Sequence, residues 1–259
     1  MGGVLFDIDG VLVTSWEPIE GARETLERLE KKSIARTFLT NTTSKTRRQI
    51  TEALSEAGMT ANEDEVLTAA ALTAGYVREN HPGARCYLLN SGEVADDMPG
   101  IEFVDDDPEV IVLGGAGPEF SHRALSTVYD WMAQGVPVVA MHRNMTWSTK
   151  DGLRIDTGMY LTGMEEASGR KATAVGKPAP AGFLACASRM GIEADEVVMV
   201  GDDLHNDVLA AQVVGMTGVL VKTGKFRQET LDQWARDEYA MQPDHVIDTV
   251  VDLPGVLGL

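Results

Sequence analysis

Short, mostly apolar runs alternate with amphipathic stretches along this chain of 259 residues. Ala22, Leu26 and Leu29 fall on one helical face, with charged residues between them, and so predict a helix. The apolar runs have the length and composition of strands buried in a parallel sheet. They lie near residues 3–8, 34–39, 197–200 and 218–221. This alternation predicts an α/β protein with a doubly wound, Rossmann-like parallel sheet and helices on both faces.

Further helices are predicted directly after polar segments. One covers residues 44–57, where hydroxyl and amide side chains can cap the first amide groups. Two others follow Lys177 and Asp202, and the second of these carries Val208, Ala211 and Val214. Each of these helices begins just after the end of a predicted strand or turn.

The spacing of these elements predicts an inserted domain. Asp9 and Thr40 are separated by about 30 residues, which is one strand-helix-strand unit. The stretch from Thr40 to Lys177 is far too long for a loop and has its own strand-like runs near 85–89, 109–113 and 136–140. The sequence therefore predicts a core domain from residues 1–70 and 173–259, with an α/β domain over 71–172 inserted into it.

Polar side chains follow the predicted core strands. Asp7 and Asp9 end the first strand, and Thr40 and Asn41 end the second. Lys177, Asp202 and Asp207 follow later in the chain. Taken alone, Asp-x-Asp-Gly is more typical of a strand-ending turn than of a metal site. Because ligands collect where the carboxyl ends of parallel strands meet, these groups together favour one crevice, and its crowded carboxylates favour a Mg²⁺ ion.

Composition excludes several classes of partner. The formal charge of −18, with only 22 basic residues, argues against binding to nucleic acid or anionic membranes. Cys86 and Cys186 lie far apart, which predicts two buried thiols rather than a disulfide or a zinc site. No signal-peptide pattern or long apolar run is present, so a cytoplasmic location is expected.

The motifs Asp7-x-Asp9, Thr40-Asn41, Gly176-Lys177-Pro178 and Gly201-Asp202-Asp203-x-x-x-Asp207 resemble, in this order, the four motifs of haloacid dehalogenase (HAD) superfamily phosphatases. The long insertion is similar to the α/β cap, of C2 type, in subclass IIA. The segment from Gly215 to Arg227 is most similar to the phospholysine phosphohistidine inorganic pyrophosphate phosphatase branch. The resemblance implies a HAD core with a cap domain and a homodimer formed through the cap.

Elementary chemistry assigns roles to the first two aspartates. Asp7, fixed at a strand end, can attack phosphorus and form an aspartyl phosphate. Gly10 lets the chain turn sharply away from the strand, so the side chain of Asp9 can reach the leaving oxygen. Asp9 can therefore protonate the leaving group and then activate water. Thr40, the Asn41 amide and Lys177 can donate to the phosphoryl oxygens.

The resemblance also implies a metal-ligand set. It assigns Mg²⁺ to Asp7, the backbone carbonyl of Asp9 and Asp202. Asp207 would act through a water molecule.

Substrate choice is predicted to lie in the insertion. Arg143 and Asn144 in the loop His142–Trp147 are candidates for contacting the leaving group, although the pattern by itself favours an exposed arginine without this role. Related sugar and pyridoxal phosphatases usually carry a Thr-Asn-x-Asp run here, which this chain lacks, so their substrates are not transferred to it.

Three functions from different classes follow from these residues. The first is a Mg²⁺-dependent phosphatase that acts on a small phosphorylated metabolite. The alternatives are a phospho-receiver-like signalling module, which also groups acidic residues around Mg²⁺, and a catalytically silent binding protein. Asp9 favours the first, because it supplies a base that a receiver lacks.

Overall fold

The computed structural model describes residues 2–149, 152–237 and 239–259. Their internal packing divides the chain into two compact units. The core unit comprises Met1–Thr40, Ile50–Leu67 and Lys177–Leu259, and the insert unit comprises Asn41–Gln49 and Thr68–Gly176. The expected assignment of residues 1–70 and 173–259 to a catalytic domain and of 71–172 to a cap stays a prediction.

The strands and helices are numbered in chain order. The strands are β1 (Gly3–Phe6), β2 (Val13–Thr14), β3 (Glu17–Pro18), β4 (Ala35–Thr40), β5 (Val66–Thr68), β6 (Arg85–Leu89), β7 (Glu102–Phe103), β8 (Val110–Leu113), β9 (Val138–Ala140), β10 (Thr146–Thr149), β11 (Gly152–Ile155), β12 (Thr173–Ala174), β13 (Val197–Gly201), β14 (Thr217–Val221) and β15 (His245–Ile247). The α-helices are α1 (Ala22–Lys31), α2 (Arg47–Glu56), α3 (Ala69–Asn80), α4 (His122–Gln134), α5 (Thr157–Ser168), α6 (Pro180–Met190), α7 (Ala210–Val213), α8 (Gln228–Trp234) and α9 (Leu253–Val256).

The core unit is built on a sheet with strand order β15-β14-β13-β1-β4-β5. The pairings from β4 through β1, β13 and β14 to β15 are all parallel. The chain runs from β1 outward to β4 and β5 and later returns to the other side of β1 as β13. The strand order therefore reverses at β1, and α/β proteins bind ligands at such a switch point. The buried core includes Phe6 and Phe38, whose rings stack with centroids 6.0 Å apart.

The four predicted core strands are confirmed as β1, β4, β13 and β14. Helix α1 buries Ala22, Leu26 and Leu29 as the periodicity predicts. Helix α6 has Pro180 in its first turn, where a missing amide hydrogen costs nothing, and ends at Gly191 in the left-handed conformation.

The prediction of an ordinary helix directly after Asp202 is wrong in detail. A π-helical turn, Leu204–Leu209, comes first, and only the short α7 follows it. Such turns are rare and are often found at functional sites.

The insert unit has its own parallel sheet with strand order β12-β9-β8-β6-β7. The three predicted strands of the insertion are confirmed as β6, β8 and β9. Apolar residues pack on this sheet in two clusters, one around Val112 and Val139 and one around Ile111 and Leu113. Cys86, in this unit, and Cys186, in the core unit, are buried free thiols, as predicted.

Helix α2 begins three residues later than predicted, and its cap differs. Thr46 Oγ1 accepts a hydrogen bond from the Gln49 amide (3.3 Å), and Gln49 Oε1 accepts one from the Thr46 amide (2.9 Å), which is a capping box. The next free amide, of Arg47, donates to Asp97 Oδ2 at 2.7 Å. The buried Asp97 carboxylate also accepts from Arg47 Nε and Thr68 Oγ1. A carboxylate from a residue far along the chain therefore accepts the hydrogen bond of a backbone amide in the first turn of this helix.

Within the described residues, no helix combines the length and apolar character needed to cross a bilayer.

Replacement of Asp97 by alanine should destabilise the protein. The substitution leaves the Arg47 amide and guanidinium and the Thr68 hydroxyl without their acceptor, and we expect a loss of about 1–3 kcal/mol in unfolding free energy. Urea denaturation measures this loss. The neighbouring Asp96 is exposed, so Asp96→Ala is the matched control and should change stability by less than about 0.5 kcal/mol. Equal stability of the two variants would contradict the capping role.

Candidate active site

The register of two neighbouring strands brings the first acidic residues together. Phe6 of β1 lies opposite Val200 of β13, and the Asp7 amide donates to the Val200 carbonyl at 2.9 Å. Asp7 and Asp202 therefore follow adjacent parallel strands at the same edge of the sheet. On the other side of β1, Phe6 pairs with Phe38 of β4, which places the buried Thr40 at this edge too.

Lys177 joins two of the carboxylates. Its ammonium lies 2.7 Å from Asp7 Oδ1 and 2.7 Å from Asp207 Oδ1. All three residues are at most 4% exposed. Burial opposes the charge on Lys177, but the charges of Asp207 and Asp7 outweigh it and raise the lysine pKa. The lysine therefore stays protonated and bridges the two aspartates.

Asp7, Asp202 and Asp207 form an acidic cluster that one ammonium does not neutralise. Each offers a carboxylate oxygen, and these oxygens lie within 4.8 Å of one another. Burial, reinforced by Asp7, raises the pKa of Asp202 to about 8. Burial also raises the pKa of Asp207, to about 6, although Lys177 opposes the rise. The three carboxylates of the cluster thus carry more negative charge than the single ammonium of Lys177 can balance.

An orphaned oxygen shows where a cation fits. Asp202 Oδ1 is buried and has no hydrogen-bond partner among the described residues. An unpaired buried carboxylate oxygen is costly and calls for a partner. Every atom that the cluster offers as a metal ligand is a carboxylate oxygen. The residues therefore fit a hard divalent cation such as Mg²⁺ rather than a softer metal.

Two glycines enclose the Asp202 carboxylate. Gly10 and Gly224 both have positive φ, at 94° and 58°, and a Cβ at either position would clash with Asp202 Oδ2. The Thr223 hydroxyl donates to the Gly10 carbonyl and ties the two loops together. The Lys225 amide donates to Asp202 Oδ2 at 2.6 Å. One oxygen of Asp202 is thus fixed by the backbone while the other is left for a cation.

The π-helical turn positions Asp207. Asp203 caps this turn, since its Oδ1 accepts from the amides of His205 (3.0 Å) and Asn206 (2.9 Å). The Asp203 amide in turn donates to Asp207 Oδ2 at 3.1 Å. A Cβ at Gly201 would clash with the Asp207 side chain, so the glycine lets this carboxylate pack against the strand end. Asp203 acts as a cap, in agreement with its exclusion from the predicted ligand set.

Asp9, the remaining predicted residue of the core unit, comes shortly after β1. Asp9 is half-buried, and burial, together with the charge of Asp7, raises its pKa. This shift suits a group that must carry a proton before it can donate one. Asn41 directly follows Thr40 and is the first residue of the insert unit.

Sequence reasoning missed Lys225 as a member of this site. The pair Gly224-Lys225 is followed by Phe226, which excludes a Walker loop, and no other phosphate-binding motif fits it. Burial lowers the pKa of Lys225, but Asp7 and Asp202 outweigh this and raise it overall. The position of Lys225 after β14, at the same sheet edge as the other groups, is the signal that could have identified it.

Comparisons with known proteins agree with this geometry. Residues 4–103 match the family model described as haloacid dehalogenase-like hydrolase, and residues 174–253 match a HAD-hydrolase-like model. Human haloacid dehalogenase-like hydrolase domain-containing protein 2 is 36% identical over 240 residues, which cover 93% of this chain and 88% of the relative. The chain belongs to the haloacid dehalogenase-like hydrolases.

Further relatives of this HAD hydrolase confirm the branch and the fold. Human phospholysine phosphohistidine inorganic pyrophosphate phosphatase is 33% identical over 231 residues, covering 87% of this chain and 84% of the relative. The p-nitrophenyl phosphatase of Archaeoglobus fulgidus superimposes with a TM-score of 0.89 at 27% identity, covering 98% of each chain. A Mycobacterium tuberculosis glycerol phosphate phosphatase, solved in complex with magnesium, gives 0.85 at 25% identity, covering 97% of this chain and 76% of that one.

These comparisons confirm several predictions from the sequence. The chain has the predicted α/β fold of subclass IIA. It is an enzyme of the phosphatase type. The assignment of individual site residues stays a prediction.

The structure gives Arg143 of this HAD hydrolase a partner within the insert unit. Its guanidinium donates to both oxygens of Glu165, at 2.7 and 2.8 Å. Glu165 is only 3% exposed and also accepts from Lys171 Nζ and the Ala172 amide. The hydrogen bonds from Arg143 are the main reason that the pKa of Glu165 falls to about 2. The backbone N–H of the half-buried Asn144 donates a hydrogen bond to His142 Nδ1 at 3.3 Å.

Arg143→Met should therefore lower stability. The substitution removes both hydrogen bonds to a buried carboxylate, but the arginine side chain is 37% exposed, so we expect a loss of about 1–3 kcal/mol. Urea denaturation measures it. Lys171 is a partner of the same carboxylate but is 78% exposed, and Lys171→Met should cost less than about 0.5 kcal/mol. Unchanged stability of Arg143→Met would show that the pair is not structural.

Proposed function

We propose that this enzyme is a Mg²⁺-dependent phosphatase that hydrolyses a small phosphorylated metabolite through an aspartyl phosphate on Asp7. The observation that carries the proposal is the buried cluster of Asp7, Asp202 and Asp207 around Lys177, with one oxygen of Asp202 left unpaired. A site with this charge is suited to holding a cation and a phosphoryl group together.

The oxygen atoms available as ligands define how Mg²⁺ would be held. Asp7, Asp202 and the backbone carbonyl of Asp9 would bind Mg²⁺, with Asp207 acting through a water molecule. Bound there, the ion would neutralise the carboxylates and draw charge from a phosphoryl oxygen. The magnesium complex of the M. tuberculosis glycerol phosphate phosphatase supports this choice of metal.

In the first half-reaction Asp7 attacks phosphorus. A carboxylate oxygen forms the new P–O bond while the bond between phosphorus and the leaving oxygen breaks. Asp9 donates its proton to that oxygen, so the leaving group departs as a neutral alcohol or phenol. The raised pKa of Asp9, caused by burial and by Asp7, supports the protonated starting state.

In the second half-reaction the same residue works in reverse. Asp9, now a carboxylate, takes a proton from a water molecule that attacks phosphorus. The P–O bond to Asp7 breaks, and Asp7 and inorganic phosphate are released. The site returns to its starting protonation state after one turnover.

The phosphoryl oxygens need donors in both steps. The Thr40 hydroxyl and the Asn41 amide would supply neutral ones, and Lys177 would supply positive charge. Preorganised donors of this kind stabilise the charge that spreads over the transferring group. The fixed position of Lys177, held by two carboxylates, supports its role in this preorganisation.

Selection of the substrate is assigned to the insertion, with Arg143 and Asn144 as the candidate residues. The pairing of Arg143 with Glu165 indicates that it acts by shaping its loop. One relative is named for phospholysine, phosphohistidine and inorganic pyrophosphate, so P–N and phosphoanhydride bonds belong in a test panel beside esters. The homodimer through the cap is part of the same proposal, and light scattering measures it.

The two alternatives predict different behaviour. A phospho-receiver-like module would keep its acyl phosphate, whereas Asp9 provides a base for its hydrolysis. A silent binding protein would hold Mg²⁺ and phosphate without turnover. Membership of a hydrolase family with named phosphatases favours catalysis over both.

Asp7→Asn should abolish turnover of p-nitrophenyl phosphate. An amide cannot form the aspartyl phosphate, so we expect kcat to fall at least about 1,000-fold, and a chelator should do the same to the wild-type enzyme. Release of nitrophenol measures both effects. Asp96→Asn, at an exposed site, is the matched control. Activity of Asp7→Asn near the wild-type level would exclude Asp7 as the nucleophile.

Asp9→Asn should affect poor leaving groups most. Without a proton donor, we expect an alkyl phosphate to lose about 100- to 10,000-fold in kcat/KM. An aryl phosphate should lose less, because its phenolate leaves without protonation. Comparison of glycerol phosphate with p-nitrophenyl phosphate measures the difference. Equal losses on the two substrates would argue against Asp9 as the general acid.

A further inference from the structure

Lys177 and Lys225 differ in whether their ammonium groups contact carboxylates directly. Lys177 is 4% exposed, and its ammonium lies 2.7 Å from two carboxylates. Lys225 is exposed as a whole residue, although its ammonium is partly shielded from water and attracted by Asp7 and Asp202, and among the described residues no carboxylate lies within ion-pairing distance of it. A lysine without a direct carboxylate contact can turn its charge toward an incoming anion, whereas Lys177 must keep its two aspartate contacts while it does so.

The backbone holds Lys225 beside the acidic cluster. Its amide donates to Asp202 Oδ2 at 2.6 Å, and the preceding Gly224 packs against Gly10. Asp202 and Lys225 also share the wall of a cleft of about 190 Å³, with Arg227 and His205. That volume exceeds the space of several water molecules, so a small anion can enter it.

The charge balance of the site gives the second ammonium a purpose. Asp7, Asp202 and Asp207 bring three negative charges, which Lys177 and a divalent ion together only cancel. Asp203 adds a fourth negative charge that acts on Lys225 and Asp207. Only with the Lys225 ammonium does a phosphate dianion meet a site without net negative charge, in a protein whose formal charge of −18 otherwise repels anions.

We propose that Lys225 is a second phosphate-binding residue, whose ammonium binds the phosphoryl group from the solvent side of the acidic cluster. This inference rests on the proposed function. It adds to that function a residue which none of the four motifs contains. The backbone amide and the side chain of Lys225 have separate tasks, because the amide fixes Asp202 and the ammonium meets the substrate.

Calorimetric titration of inorganic phosphate into the Mg²⁺-loaded protein tests the proposal without requiring turnover. Lys225→Met keeps the backbone amide and removes the charge, so phosphate binding should weaken about 10- to 100-fold, as for loss of a charged hydrogen bond. Lys225→Arg should keep binding within about fivefold, since it keeps the charge. Lys222→Met is the matched control, because Lys222 is a nearby lysine paired with Asp248 at 2.8 Å, and it should bind as the wild type does.

Titration of Mg²⁺ into the same variants separates a direct role from a structural one. Lys225→Met should bind Mg²⁺ at least as tightly as the wild type does, because it removes a positive charge near the metal ligands. If its Mg²⁺ affinity fell by the same factor as its phosphate affinity, Lys225 would only support Asp202, and the proposal would be overturned. Unchanged phosphate binding in Lys225→Met, or no phosphate binding by the wild type, would overturn it too. Failure of the proposed function would instead show as absent turnover of every substrate with Lys225-dependent phosphate binding intact.

Discussion

The site depends on one buried ion network, in which the Lys177 ammonium lies between Asp7 and Asp207 at 2.7 Å from each. Charges taken out of water are costly, and a buried pair is favourable only when its geometry is good. The three groups come from the end of β1, the segment before α6 and the π-helical turn. Loss of Lys177 would leave two buried carboxylates uncompensated, so electrostatics as well as apolar packing fixes these elements against each other.

This network remains short of positive charge, and the surrounding backbone is arranged around that deficit. Asp202 is enclosed by Gly10 and Gly224, so that one of its oxygens is hydrogen-bonded and the other faces the cluster unpaired. The raised pKa values of Asp202 and Asp207, at about 8 and 6, have the same origin, which is burial of like charges. A divalent cation would relieve both the unpaired oxygen and the repulsion.

The sequence allowed prediction of what depends on local pattern. Apolar runs located the central strands β1, β4, β13 and β14, and the residues that follow them identified the acidic cluster. Contacts between segments far apart in the sequence could not be predicted from such local patterns. The bonds of Arg143 to Glu165 and of Arg47 to Asp97 join residues whose neighbours along the chain give no sign of the pairing. The π-helical turn was missed because its apolar spacing is that of an ordinary helix, and β7 and β12 because two residues show no periodicity.

The different exposure of the two lysines answers a problem that any such site must solve. The Lys177 ammonium is held between two buried carboxylates, so any charge that it offers to a phosphoryl group must be offered without leaving them. In the proposed mechanism, Lys225 would add positive charge for the incoming dianion to that of Lys177 and to the neutral donors assigned to Thr40 and Asn41. Neutral donors also limit how tightly phosphate is held, and an enzyme that releases phosphate in every cycle gains rate only from binding that is stronger in the transition state than in the product.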